Sequence, residues 1–207
     1  KVATKEVRIA IVGKYFDTGD FVLSDAYVSV IEAIKFSAYR EGRKPKLVWL
    51  NAKLFEGDTK AVASTCKKYL TDVDGILVPG GFGGSGIEGK ITVIEYARTH
   101  KIPYFGLCYG MQLLVIEFAR HVAGLPGAHT TEIDKQAKHQ VIDIMEHQKE
   151  LVQKGKYGGS MRLGSYPCAL KPKTHASEAY IKGNWGNGNA GVHTVIERHR
   201  HRYEVNI

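Results

Sequence analysis

Short apolar runs alternate with amphipathic helical segments through the first half of the chain, and this alternation limits the fold more than any other feature. Val7–Val12, Lys46–Leu50, Gly75–Val78 and Ile102–Leu107 have the length and composition of buried strands. Strands that alternate with helices at this spacing favour parallel pairing through crossover helices. The sequence therefore predicts an α/β fold with a doubly wound, mostly parallel sheet of the flavodoxin-like, three-layer type.

The segments between these strands carry the periodicity of helices that pack on a sheet. The first predicted helix follows Ser24, a residue type that caps helices, and its apolar stripe comprises Tyr27, Val30, Ile31, Ile34 and Ala38. Further helices are predicted over Asp58–Leu70, around Ile91, Ile94 and Ala97, and over Met111–Ala123. Each helix would cover one face of the sheet.

The second half of the chain has fewer apolar stripes. Met161–Gly164 and Tyr166–Leu170 are predicted as short antiparallel strands at the edge of the sheet. Gly183–Gly191 is rich in Gly and Asn and indicates a mobile loop, and Val192–Ile207 is an extended segment. We find no internal repeat and expect one domain over residues 1–207.

Composition restricts the class of protein. The formal charge of +8, from 29 Lys and Arg against 21 Asp and Glu, suits an anionic partner such as a nucleotide or nucleic acid, although a solvated basic surface explains it equally well. Three cysteines, an odd number, indicate a reducing compartment, so we expect a cytoplasmic protein. No apolar run approaches the ~20 residues of a membrane span. The start at Lys1, without an initiator Met, predicts a piece of a longer polypeptide.

A G-x-C-x-G motif, Gly106–Gly110, stands between a predicted strand and a predicted helix. In a nucleophile elbow, glycines permit a tight strand-to-helix turn that exposes the side chain at its apex. The thiol of Cys108 would also lie at a helix N-terminus, where the partial positive charge favours a thiolate. A small buried cysteine between packing glycines is the competing interpretation.

A second glycine loop, Pro79–Gly83, closes the preceding predicted strand. Parallel strands joined by a crossover helix end at the same edge of a sheet, so the two loops can face each other. Acyl transfer requires backbone donors for a tetrahedral oxyanion. The amide of Tyr109 and an amide of the Gly80–Gly81 turn are the candidates.

Several longer strings then add a family resemblance that covers nearly the whole chain. They are Gly13-Lys-Tyr, Asp25-Ala-Tyr-Val-Ser-Val-Ile-Glu-Ala, Val78-Pro-Gly-Gly-Phe-Gly, Glu88-Gly-Lys, Ile102-Pro-Tyr, Gly110-Met-Gln, Glu117-Phe-Ala-Arg, Thr131-Glu, Met161-Arg-Leu-Gly and Glu197-Arg-His-Arg-His-Arg-Tyr-Glu-Val-Asn. Together they resemble the class I glutamine amidotransferase domain of CTP synthases. The Met-Arg-Leu-Gly and Arg-His-Arg-His-Arg strings separate this group from other class I amidotransferases.

The resemblance implies a glutaminase in which a cysteine attacks the side-chain amide of L-glutamine, releases ammonia and leaves a thioester that water hydrolyses. It assigns the following roles: Cys108 as nucleophile, Gly81 as oxyanion and substrate-backbone contact, Tyr109, Gly110, Met111 and Gln112 as pocket lining, and Glu132 and Arg202 as substrate-binding residues. The last assignment agrees with chemistry, because free glutamine is a zwitterion that needs an anion for its ammonium and a cation for its carboxylate.

The same resemblance implies no cofactor in this domain and no metal. ATP and Mg would act in a separate synthetase domain that aminates UTP to CTP, GTP would be an allosteric activator, and the family tetramer would form through the synthetase domain. Neither a membrane nor a nucleic acid is an expected partner.

Three departures from the family pattern carry expectations of their own. Tyr109 stands where many relatives have leucine, which predicts a changed pocket rim with intact chemistry. Ser85 replaces an arginine of the glycine loop, which puts a GTP or partner-domain contact of that arginine in doubt. The catalytic His and Glu of the family follow the Tyr-Glu-Val-Asn string. We therefore expect either that the domain continues beyond Ile207 or that this piece does not turn over.

Two other function classes remain open at this point. Cysteine hydrolases and peptidases of the DJ-1 and PfpI type share the elbow on a similar sheet, but they lack the Arg-His-Arg-His-Arg string. A non-catalytic basic module could bind nucleotides or nucleic acid through the same string, Arg198–Arg202. His199 and His201 share one face of this predicted strand. A metal site there is a minority interpretation, because the flanking arginines oppose a cation.

Overall fold

The computed structural model describes residues 4–14, 27–81, 83–153, 162–183 and 194–206. Ser24, Phe82, Met161 and most of the predicted Gly/Asn-rich loop lie outside these ranges. The chain divides into two compact units, Lys1–Asp143 with Val205–Ile207 and Ile144–Glu204. Each unit is described by itself.

The first unit is built on a four-stranded parallel sheet. Its strands are β1 (Lys5–Gly13), β2 (Arg43–Asn51), β3 (Gly75–Val78) and β4 (Tyr104–Gly106), in the order β2-β1-β3-β4. The predicted parallel α/β sheet is thus confirmed. In the register of β3 and β4, Val78 pairs with Gly106, so the two strands end side by side.

Four helices connect and cover these strands: α1 (Val28–Arg40), α2 (Thr59–Leu70), α3 (Ile87–Thr99) and α4 (Tyr109–His121). A short 3-10 turn, Ala52–Phe55, precedes α2. The side chain of Asp58 caps α2 by accepting hydrogen bonds from the amides of Lys60 and Ala61, each at 3.0 Å. The predicted helix boundaries therefore agree with the structure to within a few residues.

Alternation along the strands divides the core into two layers. Ala10 and Val12 of β1 pack with α2 and α3 through Cys66, Leu70, Val93 and Ala97. Ile11 faces the opposite side and packs with Tyr27 and Ile31, next to Val30 and Ile34. Side chains of a strand alternate between its two faces, so this pattern confirms a three-layer arrangement with α1 on one face.

A buried ion pair joins α3 to α4. The carboxylate of Glu117 is fully buried and accepts hydrogen bonds from Nε and Nη2 of Arg98 at 3.0 and 2.8 Å. The Nδ1 atom of His121 lies 3.1 Å from the same carboxylate. Because a buried carboxylate needs such partners, this cluster fixes the helix that begins at Cys108 against its neighbour.

The remainder of the first unit follows α4. Strand β5 (Ala128–Thr130) pairs in parallel with β6 (His139–Ile144), with a register shift between His129 and Thr130. The amide of Asn206, near the end of the chain, donates to the carbonyl of Val141 at 2.9 Å.

The second unit contains α5 (Glu146–Gln153), β7 (Arg162–Ala169), α6 (His175–Gly183), β8 (Thr194–His201) and most of β9 (Tyr203–Val205). The predicted antiparallel strands are present, but the two short ones expected over 161–164 and 166–170 form a single strand, β7. This strand pairs with β8 in a two-stranded sheet of its own. The break expected at Ser165 is absent, because Ser165 pairs with Arg198 and Gly164, at φ 96°, is accommodated within β7.

None of the helices in the described ranges has the length and apolar character needed to span a membrane.

Candidate active site

Cys108 occupies the predicted turn between β4 and α4. Its backbone has φ 51° and ψ −106°, a conformation that residues other than glycine rarely adopt. A Cβ atom added to Gly106 would lie 2.5 Å from the carbonyl carbon of Gly110, and one added to Gly110 would lie 2.1 Å from the carbonyl oxygen of Val78. Both glycines are therefore required, and they leave the thiol of Cys108 exposed at the end of the sheet.

The first turn of α4 begins at this cysteine. The amides of Met111 and Gln112 donate to the carbonyl of Cys108, each at 3.1 Å. Tyr109, Gly110 and Gln112 are buried, whereas Met111 is partly exposed. These four residues lie beside the cysteine as expected, and their contacts with a substrate remain predictions.

The pKa of the Cys108 thiol is raised above its usual range. Although the residue is exposed, the surrounding loops remove part of the hydration of its sulfur, which is the largest cause, and the charge of Glu132 acts in the same direction. The amide of Tyr109 opposes both by donating a hydrogen bond to the sulfur. The helix N-terminus was expected to favour a thiolate, but desolvation outweighs its amide. Within the described residues, no imidazole is among the groups that shift this pKa.

The glycine loop after β3 faces the cysteine, as the parallel topology predicts. A Cβ atom added to Gly80 would lie 3.4 Å from Cβ and 4.0 Å from Sγ of Cys108. A Cβ atom added to Gly81 would lie 3.9 Å from Cε of Lys14. Gly83 and Gly86, with φ of 73° and 74°, turn the loop into α3. Gly81 is thus one residue beyond the point of closest approach, and its role as an oxyanion contact remains a prediction.

Glu132 lies in the turn after β5 and belongs to the same site. Its carboxylate is half-buried and hydrogen-bonded by the backbone amide of Gly83. Desolvation raises its pKa, while this amide and the ammonium of Lys14 lower it. Its own amide donates to Oγ1 of Thr130 at 3.2 Å. Because the amide of Gly83, in the loop that faces Cys108, donates to this carboxylate, Glu132 belongs to the same site and not to an isolated surface loop.

Two lysines and Gly83 at this site were not identified from sequence. The Nζ atom of Lys14 lies 3.8 Å from the position that a Cβ of Gly83 would take. Lys90, on α3, is 1% exposed, and its Nζ lies 5.5 Å from the ring centroid of Tyr109. The sequence does indicate that Lys90 is unusual. It lies on the same face of α3 as Ile87, Ile91 and Ile94, so it interrupts an apolar stripe with a charge.

Arg202 lies between β8 and β9, in the second unit. Its carbonyl accepts a hydrogen bond from the amide of Met145 at 3.0 Å, and its side chain is partly exposed. Its contact with the substrate remains a prediction.

The strand before Arg202 carries the paired histidines. His199 and His201 share the less exposed face of β8, with ring centroids 5.1 Å apart, as predicted. Desolvation, followed by the charges of His199 and Arg162, lowers the pKa of His201. Among the described residues, no group of three or more His, Cys, Asp or Glu side chains could hold a metal ion.

Comparison with known proteins extends these findings. The family model for class I glutamine amidotransferases matches residues 22–207. CTP synthases are among the curated relatives: that of Listeria innocua is 45% identical over 206 residues, and that of Caldanaerobacter subterraneus is 49% identical over 201 residues. These alignments cover 100% and 97% of this chain but 34% and 33% of the relatives, so the chain spans about a third of their length.

A solved structure gives the same result. The glutaminase domain of CTPS from Trypanosoma brucei with bound acivicin superposes with a TM-score of 0.78 and is 35% identical in sequence. The alignment covers 97% of this chain and 68% of that chain. Since the family model matches most of the chain and the fold agrees, the chain belongs to the class I glutamine amidotransferase family.

Proposed function

We propose that the chain is the glutaminase domain of a CTP synthase. In this proposal Cys108 attacks the side-chain amide carbon of L-glutamine, and the ammonia released is consumed elsewhere in the same polypeptide, where ATP-dependent amination converts UTP to CTP. The observation that carries the proposal is the approach of two loops, with the Gly80 backbone beside the thiol of a strained Cys108. Such an arrangement offers an exposed nucleophile together with backbone donors.

The reaction follows in two stages. Sγ of Cys108 forms a bond to the amide carbon, and the carbonyl oxygen becomes an oxyanion close to the amides of Tyr109 and the Gly80–Gly81 turn. The carbon–nitrogen bond then breaks, the nitrogen leaves as ammonia with an added proton, and a γ-glutamyl thioester remains. Water attacks this thioester and releases glutamate and the free thiol.

The raised pKa of Cys108 has a consequence for the first stage. At neutral pH the resting side chain is a thiol, so a base must take its proton before or during attack. We assign no described residue to that step. The family resemblance assigns it to a histidine that is paired with a glutamate.

Substrate recognition is proposed for two charged residues. Glu132 is already held by the amide of Gly83 near the thiol, which suits a carboxylate that receives the ammonium of glutamine. Arg202 would bind the substrate carboxylate. Glu132 and Arg202 would thus select a free amino acid over a peptide-linked glutamine.

The partners of the whole protein are also proposals. L-glutamine is the substrate, ATP and Mg act in the synthetase domain, GTP activates, and a tetramer forms through that domain. The three cysteines within the described residues are free thiols, which suits the reducing cytoplasm that we propose as the location.

The test is glutamine hydrolysis by the complete protein. Cys108→Ala is expected to abolish hydrolysis, whereas Cys168→Ala, at a partly buried thiol on β7, is the matched control and keeps it. Hydrolysis that survives in Cys108→Ala would refute the proposal. Labelling of Cys108 by peptide reagents but not by glutamine analogues would favour a DJ-1 or PfpI type of hydrolase instead. Salt-sensitive binding of DNA or RNA that ignores Cys108→Ala would favour the basic binding module.

A further inference from the structure

The side chain of Tyr109 links the elbow to the glycine loop. It is 2% exposed, and its hydroxyl donates to the carbonyl of Gly83 at 3.4 Å. The expected change of the pocket rim is therefore not what the structure shows, because the phenol is directed inward beneath the loop. Burial, the largest cause, and the charge of Glu132 raise its pKa well above the usual range, so the phenol stays protonated as a donor.

Gly83 is held on both sides of its α-carbon. Its amide donates to the carboxylate of Glu132, and its carbonyl accepts from Tyr109. These two groups belong to successive peptide planes. Fixing both planes defines the backbone at φ 73°, where a glycine otherwise has wide freedom.

Lys90 supports the ring of Tyr109 from α3. Its ammonium lies 5.5 Å from the ring centroid, within the range of a cation–π interaction. The ion pairs formed among the described residues do not include Lys90, although the side chain is almost fully buried. Keeping a cation there opposes stability, because its hydration is lost. A contact that benefits activity would offset this cost to stability.

We propose that Tyr109 and Lys90 are positioning residues for glutamine hydrolysis: the phenol, oriented by the ammonium, holds Gly83 and with it the loop that faces the thiol. This inference rests on the proposed function. The oxyanion exists only after attack, so a loop that is less well fixed slows the chemical step without weakening the binding of glutamine. A mere packing role would instead affect stability alone.

The experiment measures kcat and KM for glutamine hydrolysis by the complete protein. Tyr109→Phe removes the hydroxyl and keeps the ring, and we expect kcat to fall about tenfold with KM within about twofold of wild type. Lys90→Met is expected to lower kcat in the same way, and the double variant to lose less than the product of the two single losses. Tyr39→Phe, at an exposed tyrosine of α1, is the matched control.

The outcomes separate this inference from the proposed function. If the wild-type protein does not hydrolyse glutamine, the proposed function itself fails. If the wild type hydrolyses glutamine and Cys108→Ala does not, but Tyr109→Phe keeps the wild-type kcat, the positioning role is overturned and the function stands. A rise of KM with unchanged kcat in Tyr109→Phe would also overturn it, because the hydroxyl would then act on binding. Lys90→Arg, which keeps a cation beside the ring, gives a second readout by recovering kcat relative to Lys90→Met.

Discussion

The two glycine loops of the first unit are held in different ways. At the elbow, backbone packs directly on backbone, and a Cβ at Gly106 or Gly110 would approach neighbouring main-chain atoms to 2.5 or 2.1 Å. Around Gly81 and Gly83 the nearest atoms are the ends of the Lys14 side chain, at 3.8 to 3.9 Å. The elbow is thus fixed by shape, whereas the facing loop is fixed by side chains from distant parts of the chain.

This difference bears on what each loop can do. A strained turn that is enclosed by main chain keeps the nucleophile in one place. Because there is no room for a larger residue at its glycines, such a turn tolerates few substitutions. A loop held by Tyr109 and Glu132 can be adjusted by single substitutions. We therefore expect variants of the elbow to fail in folding and variants of the loop to fail in activity.

The largest effect is expected from Gly110→Ala. Its methyl group would overlap the carbonyl oxygen of Val78, and because main chain cannot move aside, the free energy of unfolding should fall by about 3 kcal/mol or more. Gly81→Ala is the matched control, since its methyl group would make only ordinary contacts, and its stability should stay within about 0.5 kcal/mol of wild type. Urea unfolding measures both. Equal losses in the two variants would contradict the contrast between the loops.

Lys90→Met is expected to change the free energy of unfolding by a smaller amount and in the opposite direction. Burial, followed by the charge of Lys14, lowers the pKa of Lys90 from 10.5 to about 8. Removing this buried cation should stabilise the protein by about 2 kcal/mol at pH 7, after loss of the cation–π contact is subtracted.

The pH dependence of this variant has a defined sign. Between pH 8 and 10.5 the unfolded lysine holds more protons than the folded one, so the stability of the wild type rises with pH in that range. The advantage of Lys90→Met should therefore shrink as pH rises from 8 to 10.5. Lys60→Met, at an exposed lysine of α2, serves as the control for loss of a surface lysine. An advantage that stays constant across this range would show that Lys90 is not desolvated in the folded protein.

Glu132→Gln is expected to have the smallest effect of the three, and this effect is on the free energy of glutamine binding. The KM for glutamine should rise about tenfold, or about 1.4 kcal/mol, because an anion for the substrate ammonium is lost. The pKa of Cys108 should fall, because the negative charge that raises it is removed. The pH dependence of Cys108 alkylation measures that second effect. A rise in this pKa, or an unchanged KM, would place Glu132 outside the glutamine site.

Local patterns were sufficient to predict the elbow and the layers around it. The stripe from Tyr27 to Ala38, the helix from Asp58 to Leu70 and the glycines on either side of Cys108 each depend on neighbours in sequence, and each was found where expected. The approach of Gly80 to Cys108 could also be predicted, because parallel topology brings strand ends together.

The rest of the site depends on contacts between residues far apart in sequence. Nothing local shows that Tyr109 would turn inward to Gly83, or that Lys14 would reach the same loop. The single strand β7 was predicted as two, because Gly164 indicates a break unless the pairing of Gly164 and Ser165 with β8 is known. The pKa of Cys108 is raised because burial of the sulfur outweighs the hydrogen bond from the amide of Tyr109. Sequence alone does not show how far the sulfur is buried.

The central claim is that Cys108 is a nucleophile directed at glutamine, and covalent labelling tests it most directly. The complete protein is incubated with an isoxazole glutamine analogue, with and without L-glutamine, and the modified residue is identified by mass spectrometry of peptides. We predict one adduct, on Cys108, whose formation L-glutamine slows. Labelling spread over Cys66 and Cys168, or an adduct on Cys108 that forms equally fast with glutamine present, would contradict the claim.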